Sequence, residues 1–123
     1  MEGPVTVQRG DVVFLRFPFS DGSGTKVRPA VVIQSDPDNA RLESTVVALI
    51  TGNTRLVTKE AGHILIDVST ESGRLSGLRY SSAINIHSLF TVHRSLIHEV
   101  VGELADEAMG RVSLQLRQSL ALS

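Results

Sequence analysis

The order of apolar and polar residues along this chain predicts a run of short β-strands followed by one helix. The second and third apolar segments are so uniformly hydrophobic that both of their faces are expected to be covered. The short connections between segments favour antiparallel pairing. The strands are predicted at residues 12–17, 30–35, 45–51, 63–68, 82–86, 89–92 and 96–101.

From residue 106 to about residue 120 the pattern changes to helical spacing. Asp106 and Glu107 fall in the first turn, where the helix dipole favours negative charge. Ala105 occupies the N-cap position in place of Ser or Asp, which leaves a weakness of about 1 kcal/mol for packing to offset. The chain is therefore predicted to be a mainly β protein, a small and partly open barrel with a C-terminal helix. The apolar stripe of the helix consists of Met109, Val112, Leu116 and Leu120.

Length and composition restrict the classes of protein that fit. A chain of 123 residues fits a single domain, 1–123. Without cysteine there is no disulfide, thiolate zinc site or cysteine nucleophile. Twelve Lys and Arg against thirteen Asp and Glu argue against non-specific coating of nucleic acid, although a local basic site remains possible. With no signal peptide and no apolar run long enough for a bilayer, we expect a soluble, cytoplasmic protein that does not associate with membranes.

Motifs for metals and common cofactors are not found. The four histidines lack the spacing of a metal site, and no P-loop or G-x-S-x-G nucleophile elbow occurs. A short G-x-G lacks the helix that dinucleotide binding requires. The sequence therefore predicts neither a metal site nor a cofactor.

A polar, glycine-bearing loop between the first two predicted strands is the strongest functional signal. It carries Ser23, Thr25 and Lys26 and closes with Arg28, where the chain enters a strand. A guanidinium held on a rigid element offers a fixed fork of donors that suits a phosphate. The alternative is a plain β-hairpin with solvated basic residues, which is common in all-β domains.

Other polar side chains lie at strand ends, where sites often form. Thr51 closes the third predicted strand, and Asn85, His87 and Ser88 interrupt a later apolar run. Taken singly, such a threonine most often bonds nearby backbone, and such a histidine is most often solvated or already hydrogen-bonded. Only together with Arg28 do they indicate a functional site.

Most of the five aromatic residues are expected in the core. Phe19 and Tyr80 are different because they adjoin polar loops. An aromatic ring in that position could stack on an unpaired base.

These segments resemble, in order along nearly the whole chain, the MazF/PemK family of toxin endoribonucleases. The resemblance begins with R-G-D-V-V-F-L at 9–15, continues with F-P-F-S-D-G-S-G and V-R-P-A-V-V-I, and reaches V-V-A-L-I-T-G ending at Gly52. S-S-A-I-N-I-H-S-L-F-T-V and I-H-E-V-V-G-E-L resemble later family segments. The resemblance implies an SH3-like (CcdB/MazF-like) barrel and a homodimer whose RNA groove crosses both subunits. It also implies a cognate antitoxin whose disordered tail blocks that groove.

The resemblance also implies a reaction. Family members cleave single-stranded RNA or mRNA at short motifs without a metal, the 2′-hydroxyl attacking the adjacent phosphate to leave a 2′,3′-cyclic phosphate and a 5′-hydroxyl. The family's catalytic arginine and threonine correspond to Arg28 and Thr51. A guanidinium can stabilise charge on the phosphorane-like transition state, and a hydroxyl can donate one more hydrogen bond. The RNA-binding residues are predicted to be Ser23, Thr25, Lys26, Asn53, Arg79, Asn85 and Ser88.

One segment departs from the family pattern. Many PemK-like members carry an arginine and an acidic residue where this chain has Asn85 and His87. One hypothesis makes His87 a catalytic residue that deprotonates the 2′-hydroxyl near neutral pH. The opposite hypothesis is that the cluster shapes base recognition, with the Asn85 amide reading base edges.

Because the net charge of the chain is low, RNA binding also requires the basic residues to gather on one face. These are Arg16, Lys26, Arg28, Arg55 and Arg79.

Two other functions remain open. A related toxin family with the same barrel inhibits a topoisomerase, and a degenerate member would bind only RNA or an antitoxin. Arg28 and Thr51 favour the ribonuclease, because both of its matched catalytic groups are retained.

Overall fold

The computed structural model describes residues 5–18 and 25–122, and the side chains of Phe17, Pro18 and Thr25 are outside this description. Ser23, one of the predicted RNA-binding residues, therefore lies outside the described residues, as does the predicted side-chain contact of Thr25. The described residues form six strands: β1 (Asp11–Pro18), β2 (Thr25–Val32), β3 (Ser44–Thr51), β4 (His63–Ile66), β5 (Ser82–His93) and β6 (Ile97–Glu103).

All strand pairs are antiparallel, and the six strands form one sheet in the order β4-β5-β3-β2-β1-β6. The sheet is not closed by strand pairing, because β4 and β6 are its two edges. The chain that follows β4 reaches across to β6, where the N–H of Glu103 donates to the carbonyl of Leu75 at 2.9 Å. The predicted mainly β, partly open barrel is confirmed.

Helices are more numerous than the single one predicted. The described residues contain α1 (Asp36–Arg41), α2 (Leu56–Lys59), α3 (Glu71–Arg74) and α4 (Asp106–Ser119), with a 3₁₀ turn at Arg94–Leu96. The first three have only four to six residues, too few to show an apolar stripe at helical spacing. Local bonds hold them instead. In α3, for example, the Thr70 hydroxyl accepts the N–H of Gly73 at 3.0 Å.

The predicted C-terminal helix is confirmed as α4. Val112 is fully buried, and Met109 and Leu116 pack against the same core. Leu120 is 52% exposed, so the predicted stripe is wrong at its last position, because the helix ends at Ser119. Ala105 occupies the N-cap, as predicted.

Two apolar cores lie on opposite sides of the sheet, because successive strand residues point to opposite faces. The first core joins the sheet to α4 and includes Val12, Ile84 and Val112. The second core lies on the other face, which the curvature of β1, β2, β3 and β5 encloses. Its buried members are Val7, Val13, Leu15, Ala30, Val32, Val47, Val92 and Ile97.

Strand β2 begins at Thr25, five residues before the predicted start at residue 30, and it ends at Val32. Its polar first half pairs with β1, from Pro18↔Thr25 to Leu15↔Arg28. Pairing with β1 holds these polar residues in an extended conformation, although they lack the apolar pattern from which a strand is predicted.

Strand β5 is continuous where two separate strands were predicted, and it contains a wide bulge. Ala48 pairs with Leu89 and Ile50 pairs with Ile84, so residues 85–88 of β5 lie opposite the single residue Leu49 of β3. These extra residues account for the polar break in the apolar pattern of the sequence.

Candidate active site

The register of β2 and β3 places Arg28 and Thr51 together. The two strands pair from Val32↔Val47 to Ala30↔Leu49. Arg28 lies two residues before Ala30, and Thr51 lies two residues after Leu49. Continuing the register beyond the last pair therefore sets Arg28, the fourth residue of β2, level with Thr51, the last residue of β3. Because side chains alternate, both belong to the face of the second core, to which Ala30 and Leu49 contribute. We call this the arginine–threonine end of the sheet.

The hydroxyl hydrogen of Thr51 is available to donate to a ligand. Its Oγ1 accepts the backbone N–H of Asn53 at 3.2 Å, and the Oδ1 of Asn53 accepts the N–H of Arg55 at 3.2 Å. The expectation that Thr51 bonds nearby backbone is therefore met. A hydroxyl whose oxygen already accepts one bond can still donate its hydrogen to a ligand.

Arg28 is exposed. Within residues 5–18 and 25–122 its guanidinium has no hydrogen bond or ion pair. Lys26 is also exposed and lies two positions earlier, on the same face of β2. Two cations beside an available hydroxyl form a local basic site that suits a phosphate.

A cavity of about 470 Å³ lies at the same end of the sheet. Val27 and Pro29, which flank Arg28 in the chain, line it, and so does Gly52, which follows Thr51. The cavity therefore opens on the face opposite to the Arg28 side chain. Arg79 and Tyr80 line it as well.

The structure divides the predicted cluster at residues 85–88. The Oδ1 of Asn85 accepts the N–H of His87 at 2.9 Å within the β5 bulge. The His87 ring packs against Gly62, where a Cβ would collide with its Nε2, and its Nδ1 lies 3.4 Å from the Ser119 hydroxyl. Ser119 ends α4, which covers the first core. Asn85 follows Ala83, the pairing partner of Thr51, by two residues on β5, so it lies near Thr51 on the neighbouring strand. The His87 ring lies away from them at the end of α4, and Ser88 lies at the far end of the bulge.

The five basic residues predicted on one face are also divided. Arg16 lies on β1, where it faces away from Leu15 and thus from the side of Arg28. Its Nε donates to Nδ1 of His98 on β6 at 3.1 Å. Only Lys26 and Arg28 share the face of Thr51. Arg79 lines the cavity, and Arg55 precedes α2.

Across the part of the chain that the structure describes, no group of three or more His, Asp or Glu side chains could hold a metal ion. Over the same residues, no helix combines the length and hydropathy needed to cross a membrane.

Comparison with known proteins decides the family. The model of the PemK-like, MazF-like toxins of type II toxin-antitoxin systems matches residues 8–120. The chain belongs to this family. It is 34% identical over 106 residues to the endoribonuclease MazF6 of Mycobacterium tuberculosis, covering 85% of this chain and 88% of the relative. It is 32% identical over 117 residues to the endoribonuclease EndoA of Bacillus subtilis, covering 94% and 96%.

Solved structures agree with the MazF-like fold. A MazE–MazF crystal structure from Deinococcus radiodurans superposes with a TM-score of 0.77 at 19% identity, covering 97% of this chain and 99% of that one.

Tyr80 is a residue that the predicted RNA-binding set did not include. Its ring is 78% exposed and lines the cavity beside Arg79. The available signal was an aromatic residue next to a polar loop, but only the folded chain shows the cavity beneath it.

Proposed function

We propose that this chain is the toxin of a type II toxin-antitoxin system and acts as a metal-independent endoribonuclease on single-stranded RNA. It works as one domain, residues 1–123, in the cytoplasm. Membership of the PemK-like, MazF-like family supports the toxin role. Relatives that match most of this chain at 34% and 32% identity are endoribonucleases by name, which supports the activity.

The single observation that carries the catalytic part is the juxtaposition of Arg28 and Thr51. They lie at the same end and on the same face of adjacent strands, held by the β2–β3 register. Arg28 has no partner among the described residues, and Thr51 retains a hydroxyl proton to donate. Donors fixed on rigid strands need little reorganisation when charge develops on a substrate.

The proposed reaction needs no group that the chain lacks. The 2′-oxygen of the RNA loses its proton to water and bonds to the adjacent phosphorus, the bond from phosphorus to the 5′-oxygen breaks, and that oxygen takes up a proton from water, so no proton is gained or lost overall. Arg28 stabilises the extra negative charge on the phosphoryl oxygens, and Thr51 donates to one of them. Lys26 draws the phosphate backbone towards the site.

The predicted RNA-binding residues fall into two groups. Lys26, Asn53 and Arg79 lie at the arginine–threonine end, and we propose that these contact RNA around the reacting phosphate. Asn85 and Ser88 lie in the β5 bulge, where base recognition stays a prediction. Ser23 and Thr25 stay predictions as well.

The deciding experiment maps the ends of a long single-stranded RNA after incubation with the purified protein and EDTA. We expect discrete cuts with 2′,3′-cyclic phosphate ends from the wild type. Arg28→Ala should lose the cuts, Thr51→Ala should slow them by about tenfold, and Arg111→Ala should keep them. Arg111 is a matched control, an exposed cation on α4 that lies 3.9 Å from Glu107.

Intact RNA with folded, antitoxin-free protein would overturn the ribonuclease proposal and favour a protein that inhibits a topoisomerase or only binds RNA. Cleavage that stops with EDTA would overturn its metal-independent form.

We also propose that the chain forms a homodimer and binds a cognate antitoxin. The Deinococcus radiodurans structures pair MazF with MazE, and a mycobacterial endoribonuclease of this fold is in complex with its cognate antitoxin. Light scattering during size-exclusion chromatography tests the dimer, and a monomer at all concentrations would contradict it. Co-purification with the product of the neighbouring gene tests the antitoxin.

A further inference from the structure

The cavity at the arginine–threonine end combines an apolar lining with a polar rim. Phe14, Pro29 and Leu78 contribute the apolar side, and Arg79 and Tyr80 stand at the opening. The Tyr80 ring is 78% exposed, the largest exposed fraction among the large hydrophobic side chains of the described residues. A large aromatic ring held in solvent beside a cavity is positioned to bind a flat ligand.

We propose that this cavity binds one unpaired nucleobase of the RNA substrate, next to the phosphate that is cleaved. Tyr80 provides the stacking surface, and Arg79 contacts the adjoining backbone phosphate. The proposal rests on the ribonuclease function above. It adds a specificity-determining subsite and two residues that act in it.

The chemistry of the lining favours a base over other ligands. Bases have an apolar face that stacks on aromatic rings with little dependence on sequence, and a guanidinium beside the ring meets the phosphate that every nucleotide carries. The volume of about 470 Å³ leaves room for a base together with its sugar.

The position of the cavity fixes which nucleotide would occupy it. Val27 and Pro29 line the cavity and directly flank Arg28, so their Cα atoms lie about 3.8 Å from that of Arg28. Gly52 lines it and directly follows Thr51. The cavity and the Arg28 side chain are on opposite faces of β2, so we infer that an RNA strand held by Arg28 and Thr51 passes around the end of the sheet to place a neighbouring base in the cavity.

The composition of the chain supplies a direct probe. Tyr80 is the only tyrosine, and the chain has no tryptophan. Its intrinsic tyrosine fluorescence therefore reports this one ring. We would titrate the protein with a short, fully 2′-O-methylated single-stranded oligonucleotide of mixed sequence, which has no free 2′-hydroxyl to attack. Free N-acetyltyrosinamide in the same titration corrects for absorption by the bases.

Stacking on Tyr80 predicts saturable quenching of this fluorescence. Arg28→Ala should reach the same quenching at saturation, because Arg28 lies outside the cavity. Arg79→Ala should weaken binding and lower the salt slope of the affinity by about one, as expected for one lost phosphate contact. Binding without any change in tyrosine emission would overturn the subsite.

Cleavage provides the second readout. Tyr80→Ala should raise KM by about 5- to 150-fold and relax the base preference at one position beside the cut, with kcat changed much less. Tyr80→Phe should keep the wild-type motif because it keeps the ring. Leu75→Ala is the matched control, a half-exposed apolar side chain nearby in the chain that does not line the cavity.

The outcomes separate this subsite from the function on which it rests. Wild-type cleavage with an unchanged motif and KM in Tyr80→Ala overturns the subsite and leaves the ribonuclease standing. Quenching without cleavage supports the subsite and overturns the ribonuclease. Neither binding nor cleavage by folded wild-type protein overturns both.

Discussion

The arginine–threonine end of the sheet and the bulge of β5 carry the two polar clusters of this chain, and they are built in different ways. At the first, a regular β2–β3 ladder sets Arg28 and Thr51 on one face through simple alternation. At the second, four residues of β5 oppose one residue of β3, and alternation is lost.

The difference also shows in what the side chains bind. In the bulge, Asn85 bonds the backbone of His87, and the His87 ring packs on Gly62 near Ser119. At the sheet end, the described residues leave Arg28 unpaired, and Thr51 keeps a proton to donate. The Arg28 guanidinium and the Thr51 hydroxyl hydrogen are therefore available to a substrate, whereas the Asn85 oxygen and the His87 ring already contact their own chain.

The largest effect is expected from Arg28→Ala. Loss of a preorganised charge at the reacting phosphate should lower kcat by about 10²- to 10³-fold, with thermal stability unchanged because the side chain is exposed. Single-turnover cleavage of a fluorescent RNA measures it. Arg41→Ala, an exposed arginine on α1 that pairs with Asp38 at 2.8 Å, is the control. An Arg28→Ala enzyme with normal kcat would remove Arg28 from the proposed mechanism.

Thr51→Val should have a smaller effect, about tenfold in kcat/KM, because it removes one hydrogen bond from an uncharged donor. Thr51→Ser keeps the hydroxyl and should restore most of the activity. The same cleavage assay compares the two variants. Full activity in Thr51→Val would remove the hydroxyl from the mechanism, and a loss in Thr51→Ser alone would point to the methyl group and its packing.

Asn85→Ala tests the structural role of a polar residue in the β5 bulge. It removes the bond to the His87 N–H and should lower the free energy of unfolding by about 1 kcal/mol, measured by denaturant titration. Asn85→Asp keeps an acceptor and is the control. A changed cleavage motif with unchanged stability would instead support base recognition by Asn85.

Asp11 is the first residue of β1. It lies at the opposite end of the sheet from Thr25, which is on the paired strand β2. Burial raises its pKa, and the nearby carboxylates of Glu103 and Asp36 add to the rise, while a bond from the Gln8 N–H opposes it. A carboxyl with a raised folded-state pKa binds its proton more tightly in the folded state. Stability is therefore lost as pH rises from the ordinary value of 3.8 through the raised one.

Asp11→Asn should consequently raise the melting temperature at pH 7, and this gain should vanish below about pH 3.8, where Asp11 is protonated in both states. Thermal unfolding followed by circular dichroism at several pH values checks the prediction. The activity should not change, since the site lies at the other end of the sheet. A gain that persists at low pH would exclude the charge as its cause.

The smallest effect is expected from His87→Ala. Because its ring lies at α4 and not beside Thr51, the pH–rate profile should keep both limbs. His93→Ala, which alters another exposed histidine of β5, is the matched control. If the pH–rate profile lost its acidic limb in His87→Ala but not in His93→Ala, the contrast between the two polar clusters would be wrong. The hypothesis that His87 is the general base would then be restored.

Sequence patterns predicted the mainly β class and the C-terminal helix. Those features depend on apolar periodicity within a few residues, which is visible in any one segment. The three short helices and the early start of β2 were missed, because local hydrogen bonds and pairing with β1 hold them without an apolar pattern.

By itself, the sequence determined which residues are available for chemistry. Arg28 and Thr51 stand out as polar residues beside apolar segments, and a family resemblance implied their roles. Tertiary structure alone decided which of the predicted residues meet. Strand register joins residues distant in the chain, and a bulge cancels the alternation that neighbouring residues would otherwise follow. The cavity beside Tyr80 likewise exists only where β1, β2 and the 77–82 segment come together, since no one of them encloses it.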